Sequence, residues 1–229
     1  MIFELHIHSK FSVDSLISPE GILKTAKIRG LNGVAVTDHN TIKGGLEAQR
    51  INNNGEFMVI VGAEINTDVG DVIGLFLNEE IKSRMFLEVI DEIRSQDGVV
   101  VLPHPFRGHK LSDELISAVD AIESFNSRTG IGANQRADEL VKKCKKISVA
   151  GSDAHFLSEI GLGSTLVDCS NLDDLKSAIL AGKASAFTTQ QSRTYLQNCS
   201  QLVKSLKTRR YVSATEQLVR TLASFLFKS

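Results

Sequence analysis

The sequence predicts an α/β barrel followed by a C-terminal helical extension. Brief apolar runs rich in β-branched residues alternate with segments of helical period, and about seven such units fit within the first ~190 residues. That is too compact for an open doubly wound sheet and suits a closed one. After Ala186 the alternation stops and two long helical patterns follow. The expected division is therefore a barrel at 1–190 and a helical extension at 191–229.

Strands are expected at 3–7, 33–37, 58–63, 71–76, 99–103, 121–125, 147–150 and 164–167, each short and apolar as strands buried on both faces should be. Helices are expected between them. The segment 19–29 opens with Pro19, carries Ile22, Leu23 and Ala26 on one side and stops at Gly30. Further helices are expected at 81–95, 112–119, 135–145 and 172–181, the last followed by Gly182. Strands alternating with helices imply a mostly parallel sheet. In the extension, 194–207 and 213–228 read as helices. Ser213 and Glu216 have the spacing of a capping box. Leu218, Val219, Leu222, Phe225 and Leu226 make an apolar stripe that must bury somewhere, on the barrel or against a second copy of the chain, and a role in homo-oligomer assembly is the expectation.

Composition narrows the function. No apolar run approaches the ~20 residues of a spanning helix, so no membrane partner is expected. The N-terminus lacks the pattern of a signal peptide. Cys144, Cys169 and Cys199 are widely spaced and odd in number, fitting neither a disulfide framework nor a Cys-x-x-Cys site. These features predict a cytoplasmic protein. The net charge is −1, yet from Gln201 onward six basic residues face Glu216 alone. Such a tail keeps nucleic acid among the candidate partners, although it lacks the interleaved aromatics of a single-strand binder.

The histidines are grouped. They occur as His6-Ile7-His8, Asp38-His39, Pro103-His104-Pro105 and Asp153-Ala154-His155, each at the C-terminal end of an expected strand, with His109 apart. In a parallel barrel those ends share one mouth. Glu64 and Glu123 end strands at the same level, and a buried strand ends in a carboxylate only where it is paired or metal-bound. One histidine at a strand end is more often a satisfied core residue than a ligand; five with carboxylates at successive strand ends describe a metal centre. The mixed nitrogen and oxygen donors suit zinc, manganese or iron.

The segments ELHIHS, FSVDSLISPE, VAVTDHNT, GAEI, VLPHP, IESFN and AGSDAH, spread over residues 1–187, resemble the PHP (polymerase and histidinol phosphatase) family, and TDHNT with GSDAH resembles its stand-alone phosphoesterases active on nucleotides. The resemblance implies a distorted seven-stranded (β/α)7 barrel holding two or three divalent ions (zinc, manganese or iron, with magnesium also admissible). It implies a first ion on His6, His8, Glu64 and Asp153, and a second, bridged by Glu64, on His104 and Glu123. A third falls to Asp14, His39 and His155. Relatives usually carry Ser-Asp-Gly around the Asp14 position, where Ser15 stands for the glycine, and the Glu123 position varies among Glu, Cys and His. No ligand position is missing. Asp14, Glu64, Glu123 and Asp153 bring four negative charges; two divalent ions only neutralise them, whereas three leave a surplus that attracts a phosphoryl group.

The expected activity is a phosphoric ester hydrolase acting on a small phosphorylated substrate, a nucleotide-like or other phosphomonoester, by attack of a metal-bound hydroxide. His39 and His155 are candidates to move the leaving-group proton, and Asp38 to orient a ligand histidine. Arg107 and Arg128, a few residues beyond His104 and Glu123, are candidates to bind phosphate, with guanidinium forks that match its oxygens. The alternatives are a phosphodiesterase or exonuclease on oligonucleotides and a non-catalytic metal-binding module.

Overall fold

In the computed structural model, which describes residues 1–53, 55–209 and 211–226, the chain begins with β1 (Ile2–Ile7), α1 (Pro19–Ile28), β2 (Gly33–His39), α2 (Lys43–Ile51), β3 (Met58–Thr67) and β4 (Gly70–Leu75). It continues with α3 (Phe86–Ser95), β5 (Val99–Leu102), α4 (Asp113–Ala118), β6 (Ala121–Asn126), α5 (Ile131–Cys144), β7 (Ile147–Gly151) and β8 (Gly163–Val167). α6 (Leu172–Leu180), β9 (Ala184–Thr189), α7 (Thr194–Lys207) and α8 (Tyr211–Leu226) complete it. All nine strands form one sheet in the order β7-β6-β5-β4-β3-β2-β1-β8-β9, and β9 lies against β7, so the sheet is nearly closed. The fold is the expected α/β barrel, with nine strands rather than seven.

The sheet is mixed, where a mostly parallel one was expected. β1, β2 and β3 are parallel neighbours, as are β5, β6 and β7, while β4 and β8 run against every strand they pair with. The cause at β4 is local. Only two residues separate Thr67 from Gly70, too few for the crossover that a parallel return requires. Thr67 Oγ1 donates to Gly70 O at 2.5 Å and closes the turn as a hairpin.

Helix α2 was not expected, because Gly44 and Gly45 fall in its first turn and glycine disfavours helix. Packing overrides propensity here. A Cβ at Gly44 would sit 1.8 Å from Asp38 Oδ2, and one at Gly45 3.0 Å from Val61 Cα, so only glycine lets the helix lie this close to β2 and β3. β9 was also unforeseen, since ASAFTT is short and weakly apolar. α1 starts as expected, with Ser18 Oγ accepting from Gly21 N at 3.1 Å and Pro19 opening the helix.

α8 begins at Tyr211, so Ser213 lies inside its first turn and not at the cap. The side chains of Glu216, Leu222, Phe225 and Leu226 lie outside the described residues. Leu218 and Val219 are exposed. Among the described residues no helix is long and apolar enough to cross a membrane.

The floor of the barrel is apolar. Phe3, Leu5, Ala35, Ile60, Ile73, Val101, Ala121, Val149 and Val167, drawn from β1 to β8, form one buried cluster. Between Glu4 and Ile7 the β1–β2 register shifts by one residue. Ile7 then packs outward with Ile22, Val34 and Val36, while His6 and His8 face each other. A bulge is a common device for re-aiming side chains beside a site.

Candidate metal centre

The ligand candidates meet above that floor. His6 Nε2 and His8 Nε2 are 3.1 Å apart, and Glu64 Oε2 lies 3.5 Å from the first and 3.3 Å from the second. The same oxygen is 3.1 Å from His39 Nδ1, and Glu64 Oε1 is 2.9 Å from His104 Nε2. Glu64 thus touches four imidazoles. It sits within β3 rather than at its end, because the strand runs on into the hairpin. Asp153 Oδ1 lies 3.2 Å from His8 Nε2. Asp14, from the loop after β1, bridges His39 Nε2 at 3.2 Å and His155 Nε2 at 3.3 Å. All these groups except His39 are almost fully buried.

Among the described residues four sets of donors each lie within 4.8 Å of one another: His8, Asp14, His39 and His155; His6, His8 and Glu64; His6, His104 and Asp153; and Glu64, Asp71 and His104. Several placements differ from the expected ligand sets: His8 also stands with Asp14, His39 and His155, and Asp153 groups with His6 and His104. Glu123 is turned away from the centre. Its Oε1 lies 2.9 Å from His6 Nδ1, and its Oε2 accepts from His104 N at 2.9 Å and Asn126 Nδ2 at 3.0 Å, so it orients the back of His6. Asp71, not singled out in the sequence, stands with Glu64 and His104 in its place. It is the second residue of β4, and because β4 is reversed the start of that strand lies at the mouth.

The donors fit divalent ions. Two imidazole nitrogens facing at 3.1 Å need a proton or a cation between them. Asp14 Oδ1 and His104 Nδ1 are buried and make no hydrogen bond among the described residues. Burial alone would lower the imidazolium of His6, but Glu123, Glu64 and Asp153 hold it well above its ordinary value. His8, desolvated yet hydrogen-bonded to Asp153 and Glu64, is raised to about 9. Burial would raise Glu64 and Asp153; His6 and His39 at the one, and Arg107 and His6 at the other, hold both well below the usual carboxylate range. His155, desolvated beside His8 and Arg128, falls to about 4 and stays neutral. The chain itself therefore supplies protons and a guanidinium where cations belong.

The remaining candidates take supporting places. Asp38 accepts from Ser9 N and Ser9 Oγ, both at 2.6 Å, and so fixes the turn behind His8 without meeting a ring. Arg107 Nη2 is paired with Asp153 Oδ2, and its side chain is 40% exposed, enough to reach solvent. Arg128 lines the chamber, but its Nε faces Glu159 Oε1 at 3.2 Å and its Nη2 donates to Leu196 O and Ser200 Oγ in α7. His109 donates through Nε2 to Asp71 O at 2.8 Å and so packs against the start of β4. Gly70, at φ +130°, leaves room for that ring, which a Cβ would approach to 2.4 Å. His104 (φ 29°) and Asp153 (φ 56°) both have left-handed backbones. The chamber above the centre encloses about 350 Å³ and is walled on one side by Gln197, Gln201 and Lys204 of α7.

Comparison with known proteins finds relatives of this fold. A family model described as PHP-associated matches residues 132–184. An uncharacterised protein of Methanocaldococcus jannaschii is 38% identical over 156 residues, covering 61% of this chain and 91% of that protein. Among solved structures, a two-domain protein of Bacteroides vulgatus containing a predicted PHP-like metal-dependent phosphoesterase superposes with a TM-score of 0.70 at 18% identity. That match covers 82% of this chain, which spans only 65% of the two-domain protein. PsfC of Pseudomonas syringae gives a TM-score of 0.66 at 18% identity, covering 89% of this chain and 97% of its own.

Proposed function

This chain belongs to the PHP family, and from that membership and its donor geometry we propose that it is a metal-dependent phosphoesterase acting on a small phosphomonoester. The observation that carries the reading is the convergence of His6, His8, Asp14, His39, Glu64, His104, Asp153 and His155 beneath one chamber. The four donor sets overlap through shared residues, which favours two or three ions. Divalent ions held there would supply Lewis acidity, activating water near neutral pH and offsetting charge on the phosphoryl oxygens.

The chain's own residues do the rest. Glu64 and Asp153 hold the histidines in register, and Glu123 and Asp38 fix His6 and the turn after His8. Arg107, paired to Asp153 yet partly exposed in the chamber, is placed to meet an incoming phosphate. His155, neutral down to about pH 4, suits a ligand better than a proton donor. His39, whose ring is 22% exposed, is the better candidate to pass a proton to the leaving group.

A chamber of about 350 Å³ is at the small end of the range for metabolite sites. Walled by α7, it favours a nucleotide-sized monoester over an oligonucleotide. The test is phosphate release from a panel of monoesters and diesters with and without Mn²⁺. Release from a monoester supports the proposal, turnover confined to diesters replaces it with the exonuclease reading, and bound metal without turnover replaces it with a binding role.

Two further results are expected. Arg107→Ala should lower kcat/KM at least ~10-fold, about 1.4 kcal/mol; unchanged kinetics would remove Arg107 from the phosphate site. The exposed Leu218 and Val219 on α8 favour self-association. Deleting 213–229 should then slow sedimentation from that of a dimer to that of a monomer, and a monomer both before and after would exclude the interface.

A further inference from the structure

Helix α7 lies across the mouth, and each of its ends grips a different segment of the metal centre. At its C-terminal end Lys207 Nζ donates to three carbonyls of one loop: Lys10 O at 2.9 Å, Ser12 O at 2.6 Å and Ser15 O at 2.8 Å. An ammonium has three donors, and all three are spent here. This loop carries Asp14 and organises its neighbours. Ser12 Oγ lies 3.1 Å from His8 Nδ1 and accepts from His39 N at 2.8 Å, while Ser15 Oγ donates to His8 O at 2.8 Å.

At the N-terminal end the grip runs through a buried ion pair. Arg128 donates to Leu196 O and Ser200 Oγ of α7 at 3.0 and 2.8 Å, and Gln197 Nε2 returns a hydrogen bond to Arg128 O at 2.6 Å. The guanidinium faces Glu159, whose other carboxylate oxygen accepts from His155 N at 3.0 Å. Asp14 therefore lies in the loop that Lys207 holds, and the N–H groups of His39 and His155 bond Ser12 of that loop and Glu159 respectively.

We propose that α7 is a working part of the metal centre: through Lys207 on the Asp14 loop, and through Arg128 and Glu159 on the His155 segment, it sets the affinity of the Asp14–His39–His155 position for a divalent ion. The inference rests on the metal-centre reading and adds that the Asp14–His39–His155 position depends on the extension, whereas the Glu64–Asp71–His104 position, whose residues make no hydrogen bond to the Asp14 loop among the described residues, does not. Lys207 is a positioning residue, acting through Asp14.

Lys207→Met keeps the aliphatic stem and removes the three donors. Mn²⁺ uptake by the variant, measured by equilibrium dialysis and elemental analysis, should show the Asp14 class of site weakened at least ~10-fold and at least one class unchanged. Lys207→Arg should restore part of that affinity. Asp14→Asn should weaken the same class, and the double variant should lose no more than Asp14→Asn alone, because the two changes act on one position. The circular dichroism of each variant checks that the barrel has folded. A Lys207→Met isotherm identical to wild type overturns the proposal, as does an equal loss at every class of site. A wild-type protein that takes up no ion refutes the metal-centre reading itself, a result distinct from either.

Discussion

Stripping divalent ions from this protein is expected to cost it far more thermal stability at pH 9 than at pH 6.5. Complete burial would depress His8, but hydrogen bonds and charge from Asp153 and Glu64 raise it from its ordinary 6.5 to about 9. A histidine raised in this way stabilises the metal-free fold fully below pH 6.5, and that contribution is lost as the pH climbs to 9. For His8 alone the loss amounts to about 3 kcal/mol, on the order of 5–10 °C for a chain of this size. His6, also raised, adds in the same direction. At the acid end Glu64 and Asp153, held well below their ordinary values, contribute above the usual carboxylate range and lose that contribution as pH falls through their lowered ones. Metal reverses the alkaline trend. An ion binds neutral imidazole, so its affinity grows as the competing protons leave. The gap in Tm between Mn²⁺-loaded and chelated protein should therefore widen steadily from pH 6.5 to 9. A gap that stays constant would mean the histidines carry no proton in the metal-free state, and the electrostatic account of the centre would be wrong.

The largest loss of activity is expected from His8→Ala. His8 belongs to two of the four donor sets, and its Nε2 lies within 3.3 Å of His6, Glu64 and Asp153. Removing it weakens two positions at once and leaves Asp153 and Glu64 facing each other with less positive charge between them. A fall in kcat/KM of at least ~10³, about 4 kcal/mol, should accompany a loss of more than one bound ion per chain. Arg107→Ala, by contrast, should spare the metal content. A His8→Ala protein that keeps a full metal complement and a tenth of the wild-type rate would show that His8 is a packing residue.

Much of the barrel could be read because its strands announce their ends. Each apolar run before His39, His104 and Asp153 stops where a polar group enters, and a strand buried on both faces has few other reasons to stop there. What could not be read has identifiable causes. Asp71 escapes a reading that looks for chemistry at the C-terminal ends of strands, because β4 is reversed. The gap of seven residues between the expected strands at 58–63 and 71–76 was too short for a crossover and carried that information. Glu123 looks like a ligand in sequence, and only the distances show it behind His6. Gly44 and Gly45 hid α2, since propensity counts glycine as a breaker and cannot know that Asp38 and Val61 lie a contact away. The partner of Arg128 was beyond sequence reasoning, because Glu159 sits in a short turn with no pattern of its own.

The left-handed backbone at Asp153 also bears on how this lineage can change. At φ 56° a β-branched residue is strained, whereas asparagine is as comfortable there as aspartate. An aspartate codon becomes an asparagine codon by one nucleotide change, and the replacement keeps the shape while deleting the charge that faces His6, His8, His155 and Arg107. A single-nucleotide exit from metal chemistry therefore opens at this position with the local backbone conformation kept. A descendant that keeps the fold but abandons hydrolysis would be expected to pass through asparagine there first.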